Sequence, residues 1–447
     1  MSSPPKIVYI TAGAGGMYCG SCIRDNALVA GLEQLGWDAM LLPLYTPIRV
    51  DEEDRSVDQV FFGGVNVYLQ QKIPLFRWLP RFLDRWLDNP RLIRRVASGA
   101  VSVSAKELGS MTLSMVKGED GFQKKEVKRL VLWLKEIVKP DLICLTNLLV
   151  GGCIPALQRE LEIPVLVTLQ GDDVFLDELE EPWRAKVLKE MRRLSAQADG
   201  FLTFSDYYRD HIASILEVPL DRFFITPLGI ETESADQVLE MRSGRKPRRV
   251  VGYFARLAPE KGFDLAVDAF LKLAVSDPEV QLEAGGWLSP KDEAFVEAQR
   301  EKIRVAGVEA RCRIHISPDA EKKLKMLSGI DVFTVPARFI EPKGLSVLEA
   351  MACRLPVVVP KRGAYPEMVG ESGGGLLCEP EDVDDLAAKL AELLADSGRC
   401  QDLGRKARDW VLEKNSREAM AKSTAAVFEE VLGQSEQGEV FDSTLLG

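Results

Sequence analysis

Two glutamates, Glu341 and Glu349, stand with seven residues between them in the stretch DVFTVPARFIEPKGLSVLEAMACRLPVVVP, Asp331 to Pro360. An apolar run opens it, Asp331 to Val335, and another closes it, Leu355 to Val359, with Pro336 and Pro360 as stops. Between them Leu345 to Cys353 is made of good helix formers and is preceded by Gly344. Strand, loop, helix and strand form a parallel βαβ unit, and such units bind ligands where strands end and helices begin. The helix N-terminus offers unpaired backbone N–H groups and a positive dipole end, which suit a phosphate. Carboxylates on either side can accept hydrogen bonds from sugar hydroxyls. The constellation fits a nucleotide diphosphate sugar, with one acid for the transferred sugar and one for the ribose. The rival reading is two solvated glutamates on an ordinary βαβ unit.

Two cations belong to the same chemistry. Arg256 and Lys261 lie in ARLAPEKG, Ala255 to Gly262, after the strand Val250–Phe254 and before a helix over Phe263–Ala274. That placement predicts both in the strand-end crevice that holds Glu341. Arginine grips phosphate oxygens through a planar fork and lysine acts as a point charge. Lys343, in the Glu341 loop, adds a third cation near the phosphates or is simply solvated.

Earlier in the chain the strand Lys6–Thr11 runs into Ala-Gly-Ala-Gly-Gly, Ala12 to Gly16. A helix with apolar positions Ile23, Ala27, Leu28, Ala30, Leu32 and Leu35 follows, then a strand over Ala39–Leu44. This is the first βαβ of a dinucleotide-type fold. A nicotinamide-dependent oxidoreductase would need a third glycine where Tyr18 stands and an acid after the second strand, and neither is present. Cys19-Gly-Ser-Cys22 opens the helix, either as small residues packed near the loop or as a redox pair with a lowered thiolate pKa. No second ligand pair is spaced for zinc.

Residues 50–125 carry no clear βαβ rhythm. Within them, 76–96 mixes Phe76, Trp78, Phe82 and Trp86 with six arginines. It reads as an amphipathic helix whose aromatics are core, or as a basic face for an anionic membrane surface or an acceptor. Alternation resumes at Gly121, with strands over Asp141–Leu145, Ile163–Leu169 and Phe201–Phe204. After Gln170, Gly171-Asp172-Asp173 lacks the DxD spacing of a metal site and reads as a helix-capping turn. The polar stretch 231–249 is the linker candidate.

Taken together these stretches resemble the family-4 retaining glycosyltransferases, through Glu341, Gly344, the helix with Glu349, AMA and PVVV, and through the Arg256–Gly262 block. Val60–Gln71 is similar to a strand pair of glycogen and starch synthases. The resemblance implies an α/β chain of two facing Rossmann-like domains (GT-B) with a deep interdomain cleft. Residues 1–230 would be the acceptor domain with an insertion at about 50–125, and 231–249 the linker. Residues 250–410 would bind the donor, 411–433 form a helix returning to the first domain, and 434–447 a loose tail. It implies transfer of a hexose from a UDP-, ADP- or GDP-sugar to a glycan, lipid-linked or other hydroxyl acceptor, without a metal or other cofactor. Arg256, Lys261 and Glu341 would then be catalytic. Gly15, Gly16, Gln170, Lys343, Gly344, Leu345 and Glu349 would bind the donor. The chain departs from the family at Gln170, where a histidine is usual, at Pro342-Lys343, at Ala255 and at Leu228. Those departures leave a second class open, a GT-B-shaped binding or partner subunit that transfers nothing.

Composition bounds these readings. A 447-residue chain, 46% hydrophobic and 28% charged, has the make-up of a soluble protein of two or three domains. A net charge of −11 with no basic tract to offset it argues against nucleic acid. The start of the chain carries no basic-plus-apolar signal pattern, no run reaches the ~18 apolar residues of a membrane span, and eight scattered cysteines read as reduced. A cytoplasmic location, at most peripheral to a membrane's inner face, follows. With only His211 and His315, a histidine base and a multi-histidine metal site are both disfavoured.

Overall fold

The structure, a computed structural model, describes residues 4–13, 20–48, 50, 53–57, 60–62 and 105–436. Gly15, Gly16, Cys19, most of the 60–71 match and the 76–96 stretch lie outside them. The chain divides into two compact units, residues 1–229 with 420–447, and residues 230–419.

The first unit is built on six parallel strands, β1 (Lys6–Thr11), β2 (Asp38–Pro43), β3 (Leu142–Leu145), β4 (Val165–Thr168), β5 (Gly200–Thr203) and β6 (Phe223–Ile225), in the order β2-β1-β3-β4-β5-β6. β1 pairs with β2 from Lys6↔Asp38 to Thr11↔Pro43 and with β3 from Ile7↔Leu142 to Ile10↔Leu145. Ile7 to Ile10 and Leu142 to Leu145 are fully buried, as expected for parallel strands covered on both faces. The helix Gly20–Gln34 corrects the sequence reading of its apolar face. Arg24, Asp25 and Asn26 are buried with the whole run Cys22, Ala27 to Leu32, whereas Ile23 is only half-buried and Leu35 is exposed. Cys22, Ala27, Leu28, Val29 and Leu32 share a core cluster with Met420, Ala421, Ala425 and Phe428 of the helix Arg417–Glu436, while Arg24 and Asp25 are buried against Tyr9, Thr11, Thr146 and Phe204 at the strands and their ends.

The second unit repeats the plan with β7 (Val250–Phe254), β8 (Gln281–Gly286), β9 (Cys312–Ile316), β10 (Val332–Thr334), β11 (Val357–Pro360) and β12 (Gly375–Cys378). The order is β12-β11-β10-β7-β8-β9, all parallel. Counted within the unit this is the doubly wound 3-2-1-4-5-6 pattern turned end for end, reversing direction between β7 and β10. The polar stretch 231–249 is not irregular throughout, since Glu233–Arg242 is a helix. β12 and the helix Tyr365–Ser372, short elements after the Pro360 stop, complete the edge of the sheet.

Candidate active site

In open parallel sheets ligands bind at the carboxyl ends of the strands, where the order reverses. In the second unit that point lies between β7 and β10, and the loops leaving these two strands carry Lys261 and Glu341. The β7 loop is shaped from below by Tyr253, whose buried hydroxyl donates to the backbone oxygens of Arg256 (3.0 Å) and Lys261 (3.4 Å). Gly262 then turns at φ +68°, and a Cβ there would lie 1.9 Å from the Pro336 carbonyl oxygen. Only glycine lets this turn press so closely on the end of β10. Arg338 fastens the two loops. Its guanidinium meets both Asp264 carboxylate oxygens at 2.7 Å and the Pro259 oxygen at 2.7 Å, and its N–H donates to the Glu260 oxygen at 2.9 Å.

Across this joint Lys261 Nζ donates to Glu341 Oε2 at 2.7 Å and lies 4.3 Å from the centre of the Phe339 ring. The other carboxylate oxygen, Oε1, accepts from the backbone N–H of Lys343 (3.3 Å) and Gly344 (3.2 Å). Burial pushes the Glu341 carboxyl up. Lys261 and the two backbone donors outweigh it and hold the group below the usual carboxylate range. Gly344, at φ +67°, starts the helix Leu345–Ala352 without a capping side chain, as Gly262 starts the helix Phe263–Ser276. Each start is preceded by a lysine, in Lys261-Gly262 and Lys343-Gly344. Their first-turn N–H groups are therefore not taken by a cap and suit an anion.

The remaining residues singled out from sequence divide. Glu349 sits in the same helix, but its Oε1 accepts from Lys323 Nζ at 2.7 Å, and that ammonium lies 5.0 Å from the centre of the Phe254 ring. Arg256 is not brought to Glu341. Its guanidinium pairs at 2.6 Å with Glu260, both about a third exposed. Sequence reasoning missed Lys323, which comes from the helix Ala320–Gly329, and Tyr365. The Tyr365 hydroxyl is buried without a hydrogen-bond partner among the described residues, and burial together with Glu341 raises its pKa well above the ordinary value.

In the first unit the strand order reverses between β1 and β3, and here Gln170 is held from one side. Its Nε2 donates to the Thr146 carbonyl (2.8 Å) and hydroxyl (2.9 Å), while Oε1 is buried without a partner among the described residues. Thr146 in turn donates to Asp25 Oδ2 at 2.5 Å, as does Thr11 at 2.9 Å. Asp25 Oδ1 is 3.3 Å from the Arg24 guanidinium, both side chains fully buried, and Arg24 also donates to the Tyr9 hydroxyl. Asp172 and Asp173 begin the helix Asp172–Asp177 and serve structure. Asp172 accepts from the N–H groups of Leu148 (2.7 Å) and Gln170 (3.2 Å), and Asp173 from the Tyr208 hydroxyl (2.6 Å), with His211 Nε2 at 3.0 Å. No group of three or more potential metal ligands exists among the described residues. Cys22 is buried near Thr11. Among the described residues no helix is long and apolar enough to cross a membrane.

Residues 239–410, which include this switch point, match the family Glycosyl transferases group 1. The match agrees with the resemblance drawn from Arg256 to Pro360. The chain is 28% identical over 246 residues, 54% of its length and 57% of the relative's, to MMP alpha-(1->4)-mannosyltransferase of Mycolicibacterium hassiacum. It is 29% identical over 237 residues, 50% of its length and 60% of the relative's, to the GDP-mannose-dependent alpha-(1-6)-phosphatidylinositol monomannoside mannosyltransferase of Mycolicibacterium smegmatis. The chain thus spans 57% and 60% of the length of these curated relatives. The sucrose-phosphate synthase structure from Thermosynechococcus elongatus is similar over 96% of this chain and 99% of that one, with a TM-score of 0.69 at 18% identity. At that identity the likeness is one of fold, the GT-B pair of Rossmann-like domains.

Proposed function

We propose that the chain is a group 1 glycosyltransferase that moves a hexose from a nucleotide diphosphate sugar to a hydroxyl acceptor, a glycan or lipid-linked sugar, with retention at the anomeric carbon. One observation carries this: Lys261 and Glu341 are paired at the switch point beside two uncapped Lys-Gly helix starts. Leaving-group charge develops on the diphosphate, and preorganised cations and backbone donors stabilise it without reorganisation. Lys261 has three donors, so it can keep Glu341 and still reach a phosphate oxygen. Arg256 is the more exposed second cation of the same loop. Glu341, held ionised, accepts from hydroxyls of the transferred sugar, and Glu349 with Lys323 takes the ribose. The GDP-mannose in the name of the Mycolicibacterium smegmatis relative makes it the first donor to try, with UDP- and ADP-sugars next.

Radiolabelled nucleotide sugars incubated with the protein and a mixed glycan and lipid extract test the reading. Label released as free sugar or moved to an acceptor supports it. Nucleotide-sugar binding with neither hydrolysis nor transfer would make the chain a binding subunit instead.

A further inference from the structure

The loop leaving β11 brings a third element to the Lys261–Glu341 pair. Ala364 donates its N–H to the Glu341 carbonyl oxygen at 2.9 Å, and the Arg362 guanidinium donates to the Arg338 carbonyl oxygen. Gly363, at φ +65°, presses on Glu341 so closely that a Cβ there would lie 2.5 Å from its carbonyl oxygen and 2.6 Å from its nitrogen. Tyr365 follows, opening the helix Tyr365–Ser372, and is 1% exposed. Its Cε1, next to the carbon that bears the hydroxyl, lies 3.3 Å from where a Cβ on Gly344 would be. Met368, one turn on, packs on the same glycine, with Sδ 2.7 Å from that point. The hydroxyl end of the ring therefore sits against the residue whose N–H holds the Glu341 carboxylate at 3.2 Å.

The hydroxyl itself has no hydrogen-bond partner among the described residues. Burying a hydroxyl unbonded is unfavourable, and a phenylalanine would fill the same space without that cost. Two ionisable groups act on it, Glu341 and Tyr253. Tyr253 gives its proton to the β7 loop, at the backbone oxygens of Arg256 and Lys261. Glu341, an ionised acceptor, is the stronger partner for a hydroxyl donor. Burial keeps the Tyr365 phenol protonated, its pKa well above the ordinary value, so a donor is what it offers.

We propose that Tyr365 is a positioning residue for Glu341, its hydroxyl donating to the carboxylate when that group engages the transferred sugar. Both carboxylate oxygens already have donors, Lys261 on Oε2 and the backbone of Lys343 and Gly344 on Oε1. Accepting from sugar hydroxyls draws the carboxylate away from these donors, and the tyrosine beside Gly344 replaces what it loses. The role rests on the proposed binding of a nucleotide diphosphate sugar with its sugar at Glu341.

Calorimetric titration of the full chain and of Tyr365→Phe tests it, with GDP-mannose, UDP-glucose and ADP-glucose each set against its nucleoside diphosphate. Tyr365→Phe should weaken the nucleotide sugar that binds by about tenfold, the usual effect of losing a charge-assisted bond, and leave its nucleoside diphosphate within about twofold. Its urea midpoint should match that of the unaltered chain, because no bond within the fold is lost. On a Glu341→Ala background the same change should cost the nucleotide sugar less than about twofold, since the acceptor is gone. Unchanged nucleotide-sugar affinity, equal loss for sugar nucleotide and nucleotide, a lowered urea midpoint, or a full tenfold loss without Glu341 would each overturn the role. Binding without transfer by the unaltered chain would contradict the transferase reading alone, and no binding of any of the three sugars would overturn both.

Discussion

Lys261 and Glu341, 80 residues apart in sequence, close a 2.7 Å ion pair across the two loops that leave β7 and β10. Their side chains are 22% and 9% exposed, so neither charge is screened as a surface charge would be. The pair does two things at once. It joins the loops at the point where the sheet reverses, and it fixes a cation and a carboxylate beside two helix starts.

Lys261→Ala should lower turnover by roughly 10²-fold, as loss of a preorganised charge at a leaving group typically does. It should also cost stability, by about 1–3 kcal/mol, because the buried Glu341 carboxylate loses its partner. Adding Glu341→Gln removes that lone charge and should restore part of the stability but none of the turnover. Urea unfolding and steady-state rates of both variants read the two effects separately. Near-normal turnover in Lys261→Ala would take the lysine out of the phosphate grip.

Asp25→Asn should be among the most damaging changes in the first unit. Arg24 and Asp25 are both fully buried, and Arg24 already has two guanidinium nitrogens without partners. Removing the carboxylate charge leaves an unpaired buried cation, worth about 3 kcal/mol or more. Arg24→Met added to Asp25→Asn should recover a measurable share, since asparagine still accepts from Thr11 and Thr146. An additive double mutant in urea unfolding would mean the two residues are not coupled.

His211 should titrate above the ordinary histidine value. Its hydrogen bond to Asp173 raises it against a smaller opposing effect of burial, and Asp173 is lowered because the His211 and Tyr208 bonds outweigh its own burial. The signs fix a window. The histidine's contribution is complete below its unfolded value of about 6.5 and is lost as pH rises through the folded value. The aspartate's is present above about 3.9 and is lost as pH falls through its lowered folded value. The pair therefore stabilises most between roughly pH 4 and 6.5. The chain has two histidines, so NMR titration resolves His211 directly. Its pKa should return toward 6.5 in Asp173→Asn, about the free value.

Transfer should persist in excess EDTA. Lys261 and two uncapped helix N-termini supply the positive charge that a metal would otherwise bring to the diphosphate. Loss of transfer on chelation, restored by magnesium or manganese, would contradict that electrostatic assignment.

Much of this geometry is legible in the sequence, for a physical reason. Strands buried on both faces read as short apolar runs, so Lys6–Thr11 and Val250–Phe254 are found at their exact limits and the Asp331–Pro360 unit within two residues. Lys-Gly twice stands before a helix that starts on glycine without a capping side chain. What sequence hides is pairing between distant elements. Nothing around Lys323 distinguishes it from its neighbours Lys322 and Lys325, yet it alone of the three meets Glu349. Arg256 shows the converse, since a strand-end position does not choose between Glu341 and the local partner Glu260. Arg24 and Asp25 look like a helix's solvent face until their distant partners Tyr9, Thr11 and Thr146 are known.

Glu341 and Glu349 are proposed to divide the donor, and calorimetric titration with the product nucleoside diphosphate probes that division. Glu341→Gln keeps shape but loses the charge that strengthens sugar hydrogen bonds. It should lower turnover while nucleotide affinity stays within about twofold of normal. Glu349→Gln should weaken nucleotide and donor together by about tenfold, since the ribose is common to both and a charge-assisted bond is lost. Equal loss of nucleotide affinity in the two variants, or no loss in either, would contradict the division of the donor between these carboxylates.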